Sequence, residues 1–332
     1  MILITNEMKY DCSVQIPSSH HPYSNCIQDI FVTYLKWKKE NYKNLFDDTW
    51  TFCFHEGSDW LDIDIYRDNF SQLYNSLYRQ FGIALEFVYD FKDYKILLER
   101  MYQEFMNGNI LGACVDVFYC PWTMEYQKKH NIHFILISGI QKDSVICCDP
   151  YSNLNVQYLP IDVFFTTAEN MFFINYNKNV TICRRECMLK TIDEMFKNTN
   201  KDNDFEQMRK VADVLKNSDC VKDELKLYEN VVMCPLLMRI NNIGFGRKCF
   251  SIYLEEMCRY YPKLDITDII NSLDKIAEIW GRFNMKIAKY SMSGYRDTIM
   301  NKLADDIYSI SIEEERLALN LKERIESFND ED

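Results

Sequence analysis

Glycine and proline are scarce in this chain, 9 and 7 of its 332 residues. That shortage argues against glycine-rich phosphate loops, collagen-like repeats and disordered linkers. Neither a G-x-G-x-x-G nor a Walker A pattern occurs, so a nucleotide cofactor has no motif to rest on. Basic runs are missing too: no five Lys or Arg adjoin, and 38 basic against 50 acidic residues leave a formal net charge of −12. Nucleic acids and anionic membrane surfaces both select a basic footprint, and neither is an expected partner. No stretch reaches the length of a membrane span. The opening MILITNEMKYDC has neither a basic n-region nor a long apolar h-region, so the expected location is cytoplasmic. The absence of any C-x-x-C pair removes zinc-ribbon and thioredoxin readings.

What the chain does hold is a globular composition, 47% hydrophobic and 27% charged, with 22 Tyr and 21 Phe. Its 13 cysteines are odd in number, and in a reducing compartment most are expected to be buried small hydrophobes. The texture changes along the chain. From about residue 50 to 178 short apolar or alternating runs read as strands: WTFCFH, IALEFVY, LGACVDVFY, HFILISGI, SVICCD, NVQYL and MFFINY. Helical periods interleave at 25–38, 67–80 and 92–106. Beyond about 185 only long amphipathic stretches follow, near 186–198, 204–216, 221–242, 247–260, 265–290 and 295–328. The expected division is an α+β domain over 1–178 and a helical domain over 179–332.

One cysteine stands at a helix start. In HHPYSNCIQDIFVTYLKW, Pro22 and Ser24-Asn25 are turn and cap residues, and the apolar period begins at once with Ile27, Ile30, Phe31, Tyr34 and Leu35. Asn25 followed three residues later by Gln28 is a capping-box variant, which puts Cys26 at the first helical position. Unpaired N–H groups and the helix dipole favour a thiolate there, the nucleophilic form. A cysteine that merely packs would fit the same place, and this feature alone leaves both readings open.

The second signal is a hairpin running from His133 through a turn near Gln141 to Asp149-Pro150. The midpoint of 133 and 149 is 141, so the two residues are expected opposite or nearly so, with the carboxylate in reach of the imidazole. Such an Asp fixes the tautomer and stabilises the imidazolium. There are only five histidines: His20, His21, His55, His130 and His133. Cys12, His20, His21 and Cys26 match no common zinc spacing, so no metal is expected. His55-Glu56-Gly57 reads as a surface turn or a pocket rim.

A cysteine at a helix start, a histidine opening a strand over a hundred residues later, and Asp-Pro after a hairpin together resemble the papain-like superfamily. Bacteriocin leader peptidases share that spacing. The stretch CVDVFYCPWTMEYQKKHNIHFILISGIQKDSVICCDPY is more similar to the N-terminal family of butirosin biosynthesis protein H, acyltransferases of natural-product pathways. The likeness covers roughly residues 15 to 178, and a helical C-terminal region follows in that family too. It implies a papain-like fold and a Cys26, His133, Asp149 triad. Within the family the chain is similar to cysteine-protease-like amide synthases, which implies transfer of an acyl or peptidyl chain from a carrier-protein thioester to an amine. One departure concerns the oxyanion hole: many papain-like enzymes carry Gln six residues before the cysteine, and here that position is His20. His20, His21 and Asn25 are the candidates for the second donor or a substrate contact.

The mechanism so implied needs no resident cofactor, since the donor arrives on the phosphopantetheine of a carrier protein and the acceptor is a small amine or diamine. Tyr23, Tyr119 and Trp122 are candidate pocket walls. The helical domain would cover the cleft, dock the carrier or form a homodimer, with Arg239, Arg247 and Lys248 as a sparse basic group for the acidic carrier. The competing expectations are a papain-like cysteine peptidase or other hydrolase on the same triad, and an inactive papain-like binding module.

Overall fold

Strands of apolar character alternate with four α-helices as far as residue 176, and among the described residues beyond it the regular elements are helices. The computed structural model describes residues 10–56, 63–66, 70–197, 202–216, 219–228, 230–231 and 234–328. In chain order the elements are β1 (Asp11–Ser13), α1 (Cys26–Trp37), β2 (Cys53–Glu56), β3 (Ile63–Tyr66), α2 (Phe70–Phe81), β4 (Ile83–Val88), α3 (Tyr94–Met106), β5 (Leu111–Asp116), β6 (Ile132–Gln141), β7 (Ser144–Asp149), β8 (Leu154–Pro160), α4 (Ile161–Thr167), β9 (Asn170–Tyr176), α5 (Arg184–Met195), α6 (Asp204–Lys216), α7 (Asp219–Lys226), α8 (Pro235–Tyr260), α9 (Thr267–Met292) and α10 (Asp297–Ser327). The class is α+β, with an antiparallel sheet and a helical C-terminal region. Among the described residues no helix is long and apolar enough to cross a membrane.

Two compact units divide these elements, and the division is not contiguous in sequence. Residues up to 42 fold with 81–180, while 43–80 fold with 181–332. The segment 43–80, which brings β2, β3 and most of α2, thus belongs with the helical part rather than with the sheet.

The first unit is built on a seven-stranded sheet in the order β4-β9-β5-β6-β7-β8, with β1 added on β6. Strand β6 is ten residues long: its first half pairs with β5, and Gly139 to Gln141 pair with β1. One sheet face, with Leu111, Ala113, Val115, Ile135, Ile137 and Val145, packs on α3 and on Phe164 of α4. Helix α1 packs beside β6. Every residue from Ile27 to Leu35 is buried, Gln28, Asp29 and Thr33 included, so α1 is a core helix rather than a surface one. Phe31 of α1 stacks on Phe172 of β9, ring centroids 6.1 Å apart. The Phe172 ring in turn lies across Gly112, where a Cβ would fall 2.1 Å from it. Glycine at 112 is what lets this ring lie flat on the sheet, and the ring helps set the level of α1.

The second unit gathers its helices around a buried ion pair. Arg247 of α8, 1% exposed, donates from Nη2 to Glu314 of α10 at 2.7 Å, and Trp50 and Trp280 donate their indole N–H groups to the same carboxylate. The Nη1 of Arg247 donates to the Thr51 carbonyl at 2.8 Å. Arg247 is therefore a core residue and no part of a docking patch; Lys248 pairs with Asp274 at 2.7 Å. The expected helix over 221–242 is two, because Pro235 opens α8 at its first turn and α8 then runs without a break to Tyr260. Close approach of α8 to α9 falls at Gly244, where a Cβ would meet Ala277 O and Trp280 Cβ at 3.0 Å. Of His55-Glu56-Gly57, the first two close β2 in the backbone, and Gly57 lies outside the described residues.

The hairpin register also departs from expectation. Pairing of β6 with β7 closes at Gln141↔Ser144, so Lys142-Asp143 form the two-residue turn, with Lys142 at φ 53°. A bulge between Ile137 and Gly139 then shifts the ladder, and Leu136 pairs with Cys148. Asp149 falls level with Ile135, two residues along from His133 rather than opposite it.

Candidate active site

The end of the 20–25 loop prepares Cys26. Asn25 has extended backbone (φ −95°, ψ 176°), and its side chain accepts from the Gln28 N–H at 3.0 Å while Gln28 Oε1 accepts from the Asn25 N–H at 3.3 Å. The capping box is complete, so Cys26 is the first residue of α1, and Asn25 is occupied in holding that helix end. Upstream, Asp29 collects the loop. Its fully buried carboxylate accepts from the His21 N–H at 2.9 Å, from the Ser24 hydroxyl, and from His20 Nδ1 at 2.6 Å. Burial pushes the Asp29 carboxyl above its ordinary range against these donors. An acid in the first helical turn also gains from the dipole.

His133 enters from the start of β6, 9% exposed in its side chain, with Nε2 3.0 Å from Asp149 Oδ2. This approach is diagonal across the ladder, which lies within reach of long side chains, and it is off the line of an ideal hydrogen bond. The Cys26 thiol lies near enough to the same imidazole to act on its pKa. With Nε2 turned to the carboxylate, Nδ1 is the nitrogen left for sulfur. Burial works against the imidazolium, but Asp149 and Cys26 outweigh it and raise its pKa to about 10. Asp149 is completely buried, yet its pKa is lowered, because the imidazolium and the Ser152 donors overcome the cost of burial.

Asp149 is held by more than His133. Trp122 Nε1 donates to Oδ2 at 2.9 Å, Ser152 Oγ donates to the same oxygen at 2.9 Å, and the Ser152 N–H donates to Oδ1 at 3.2 Å. Trp122, expected as a pocket wall, is thus a hydrogen-bond partner of the carboxylate. Tyr23 lies edge-on to His21, and the buried His21 ring packs between Tyr23 and Tyr42 at 5.8 and 6.0 Å. Tyr119 is exposed, with ring contacts to Phe118 and His130. Tyr151, two residues beyond Asp149, sits edge-on to both His133 and His20, at 6.1 and 5.5 Å.

Three of these contributors carry little signal in a lone sequence. Asp29 is legible only as an acid three residues past Cys26, on the same helix face. Ser152 and Tyr151 follow Asp149-Pro150 and read as ordinary turn residues. Burial holds Cys114, Cys120 and Cys148 as thiols, with pKa pushed up to about 12. Among the described residues no group of three or more His, Cys, Asp or Glu converges to hold a metal. A cavity of about 440 Å3 opens between β1 and the β6–β8 strands, with Val14, Ile16, Ser138, Ile146, Asn155 and Tyr158 in its walls; Cys26, His133 and Asp149 do not line it.

In chemical terms the group offers a sulfur nucleophile, a base already paired with a carboxylate, and free backbone N–H groups at a helix N-terminus. No family model matches the chain, and no curated protein matches it either.

Proposed function

We propose that Cys26, His133 and Asp149 form a papain-like triad that carries an acyl group as a Cys26 thioester, and that the protein is an amide synthase. The observation that carries the reading is the His133 imidazole, held between Cys26 and the buried Asp149 and raised to about 10. Such an imidazole keeps its proton at neutral pH, and a cation beside a thiol favours the reactive thiolate form. The Cys26 thiolate attacks the carbonyl of a carrier-protein thioester, and the departing phosphopantetheine thiolate takes the His133 proton. The Cys26 N–H is one donor to the oxyanion. An amine then attacks the acyl-enzyme, sulfur leaves, and His133 regains a proton as the amide departs. The carrier supplies the donor thioester, and exchange between thioesters needs no ATP. Support for acyl transfer over proteolysis comes from the resemblance of residues 15 to 178 to natural-product acyltransferases.

Intact-mass spectrometry after mixing the protein with benzoyl-N-acetylcysteamine tests this. The expected result is one benzoyl group on Cys26 that amines discharge as benzamide product. Cys26→Ala and His133→Ala are expected to give no adduct, a loss of at least about 1000-fold in acylation rate. Discharge mainly to free benzoate would assign a hydrolase instead, and adduct formation at an unchanged rate in His133→Ala would remove His133 from the mechanism.

A further inference from the structure

A second histidine–carboxylate pair stands beside the triad. His20 donates from Nδ1 to Asp29 at 2.6 Å, and Asp29 also takes the His21 N–H and the Ser24 hydroxyl. An ionised Asp29 accepts from Nδ1, which places the His20 proton there and leaves Nε2 with a lone pair; the Ser24 hydroxyl lies within reach of the His21 carbonyl, at 2.8 Å, as well as of Asp29. The backbone before His20 is pinned. The Ser19 N–H donates to Thr33 Oγ1 of α1 at 3.0 Å, and the Ser18 N–H donates to Asn155 Oδ1 of β8 at 2.7 Å. The Tyr151 ring bridges the two imidazoles, edge-on to each. Burial first, and then the nearness of Cys26 and Asp29, push the Tyr151 phenol up. Their exposure differs: the His20 side chain is 39% exposed and that of His133 9%.

We propose that His20, its tautomer set by Asp29, is a second catalytic base at Cys26 that deprotonates an alkylammonium acceptor. The inference rests on the amide-synthase reading and adds the acceptor's class, a primary aliphatic amine. The proton count gives such a base a role. An aliphatic amine reaches the enzyme at neutral pH as an ammonium ion and loses two protons in becoming an amide nitrogen. In the acyl-enzyme His133 is neutral, having given its proton to the departing thiol, and has room for one. His20 Nε2 takes the first proton from the ammonium. The freed lone pair then forms the C–N bond, the C–S bond breaks with its electron pair returning to Cys26, and the second proton passes to His133. The thiolate–imidazolium pair is restored, and His20 sheds its proton to water through its exposed edge. This role differs from the oxyanion donor that a residue six positions before the cysteine supplies elsewhere, since an oxyanion needs a donor and Nε2 here is an acceptor.

The test compares benzoylated wild-type protein with benzoylated His20→Gln, which keeps an amide donor for Asp29. Single-turnover discharge is followed with 1,3-diaminopropane, an ammonium at neutral pH, and with hydroxylamine, already neutral there. Expected are an unchanged acylation rate, which also reports the fold, and unchanged discharge by hydroxylamine. Discharge by the diamine should fall about 100-fold near neutral pH, the scale of one general base, and recover as alkaline pH deprotonates the amine. An equal loss with both nucleophiles, or a loss in acylation, would assign His20 to the oxyanion or to loop structure and overturn the proposal. Equal rates in both proteins would overturn it as well. Absence of any benzoyl adduct on the wild-type protein would instead remove the amide-synthase reading on which it stands.

Discussion

The imidazole of His133 is almost wholly out of water, and a charge there survives only because a carboxylate and a sulfur face it. Removing one member of such a set leaves the others uncompensated, which is why Trp122 and Ser152 matter: both donate to Asp149 and hold it in place. The two shifts act on stability in opposite directions of pH. The raised His133 stabilises the fold fully below the ordinary imidazole value of 6.5, and that contribution is lost as pH climbs through about 10. The lowered Asp149 stabilises it above the ordinary carboxylate value of 3.8 and loses this as pH falls through its folded value. The stability gap between wild-type protein and Asp149→Asn should therefore be widest in mildly acidic solution. It should close progressively from neutrality to strongly alkaline pH, as read from urea midpoints across a pH series. A gap that widens with rising pH would mean that His133 is neutral in the folded protein.

At the scale of elements, periodicity carried most of the fold. The runs read as strands at 83–89, 133–140, 144–149 and 171–176 are β4, β6, β7 and β9, and the capping box at Asn25 starts α1 where the cap chemistry places it. Strand β1, at three residues, is too short to show a period, and α4, at seven, barely completes two turns. The hairpin was legible as a hairpin, but its register was not. The bulge at Gly139 answers to tertiary packing, since a Cβ there would fall 2.3 Å from the Cys12 carbonyl of β1. Of the candidate site, Cys26, His133 and Asp149 were readable because cap, strand start and Asp-Pro turn are local features. Asp29 was not, and Trp122 was readable as a pocket wall but not as a partner of Asp149, because their partners are set by chain packing. Gly112 is of this second kind and yields a test. Gly112→Ala drives a methyl into the Phe172 ring, which Phe31 and Phe87 hold in place at 6.1 and 5.1 Å. Overpacking of this sort costs about 1–3 kcal/mol. Phe172→Leu in the same protein should return part of that loss, so the double variant is less destabilised than the sum of the singles. Strict additivity in urea melts would show that the ring does not set the level of α1.

Across the whole molecule, the chain leaves the sheet unit after residue 42, contributes 43–80 to the helical unit, returns, and leaves again after 180. A boundary at 178, the natural place to cut on periodicity alone, misses the inserted segment. That segment contains the Trp50 indole that donates to Glu314 at 2.7 Å and the Thr51 carbonyl that accepts from Arg247 at 2.8 Å. It also supplies the Phe52 and Phe54 N–H groups that donate to Asp204 and Gln207 of α6, both at 2.8 Å. Asp204 is buried deeply enough that its pKa rises to about 7 even with the Phe52 donor. A fragment of residues 179–332 would thus carry Arg247, Glu314 and Asp204 with half of their partners missing. Leaving a buried hydrogen-bonding group without its partner costs about 1–3 kcal/mol, and several such losses together are a large part of the stability of an ordinary domain. The fragment should keep much of its far-UV helical signal, lose near-UV structure around Trp280, and bind a hydrophobic dye. Linking residues 43–80 to its N-terminus through a flexible spacer should restore a cooperative melt. A fragment of 179–332 that unfolds cooperatively by itself would show that the inserted segment decorates the helical unit instead of completing its core.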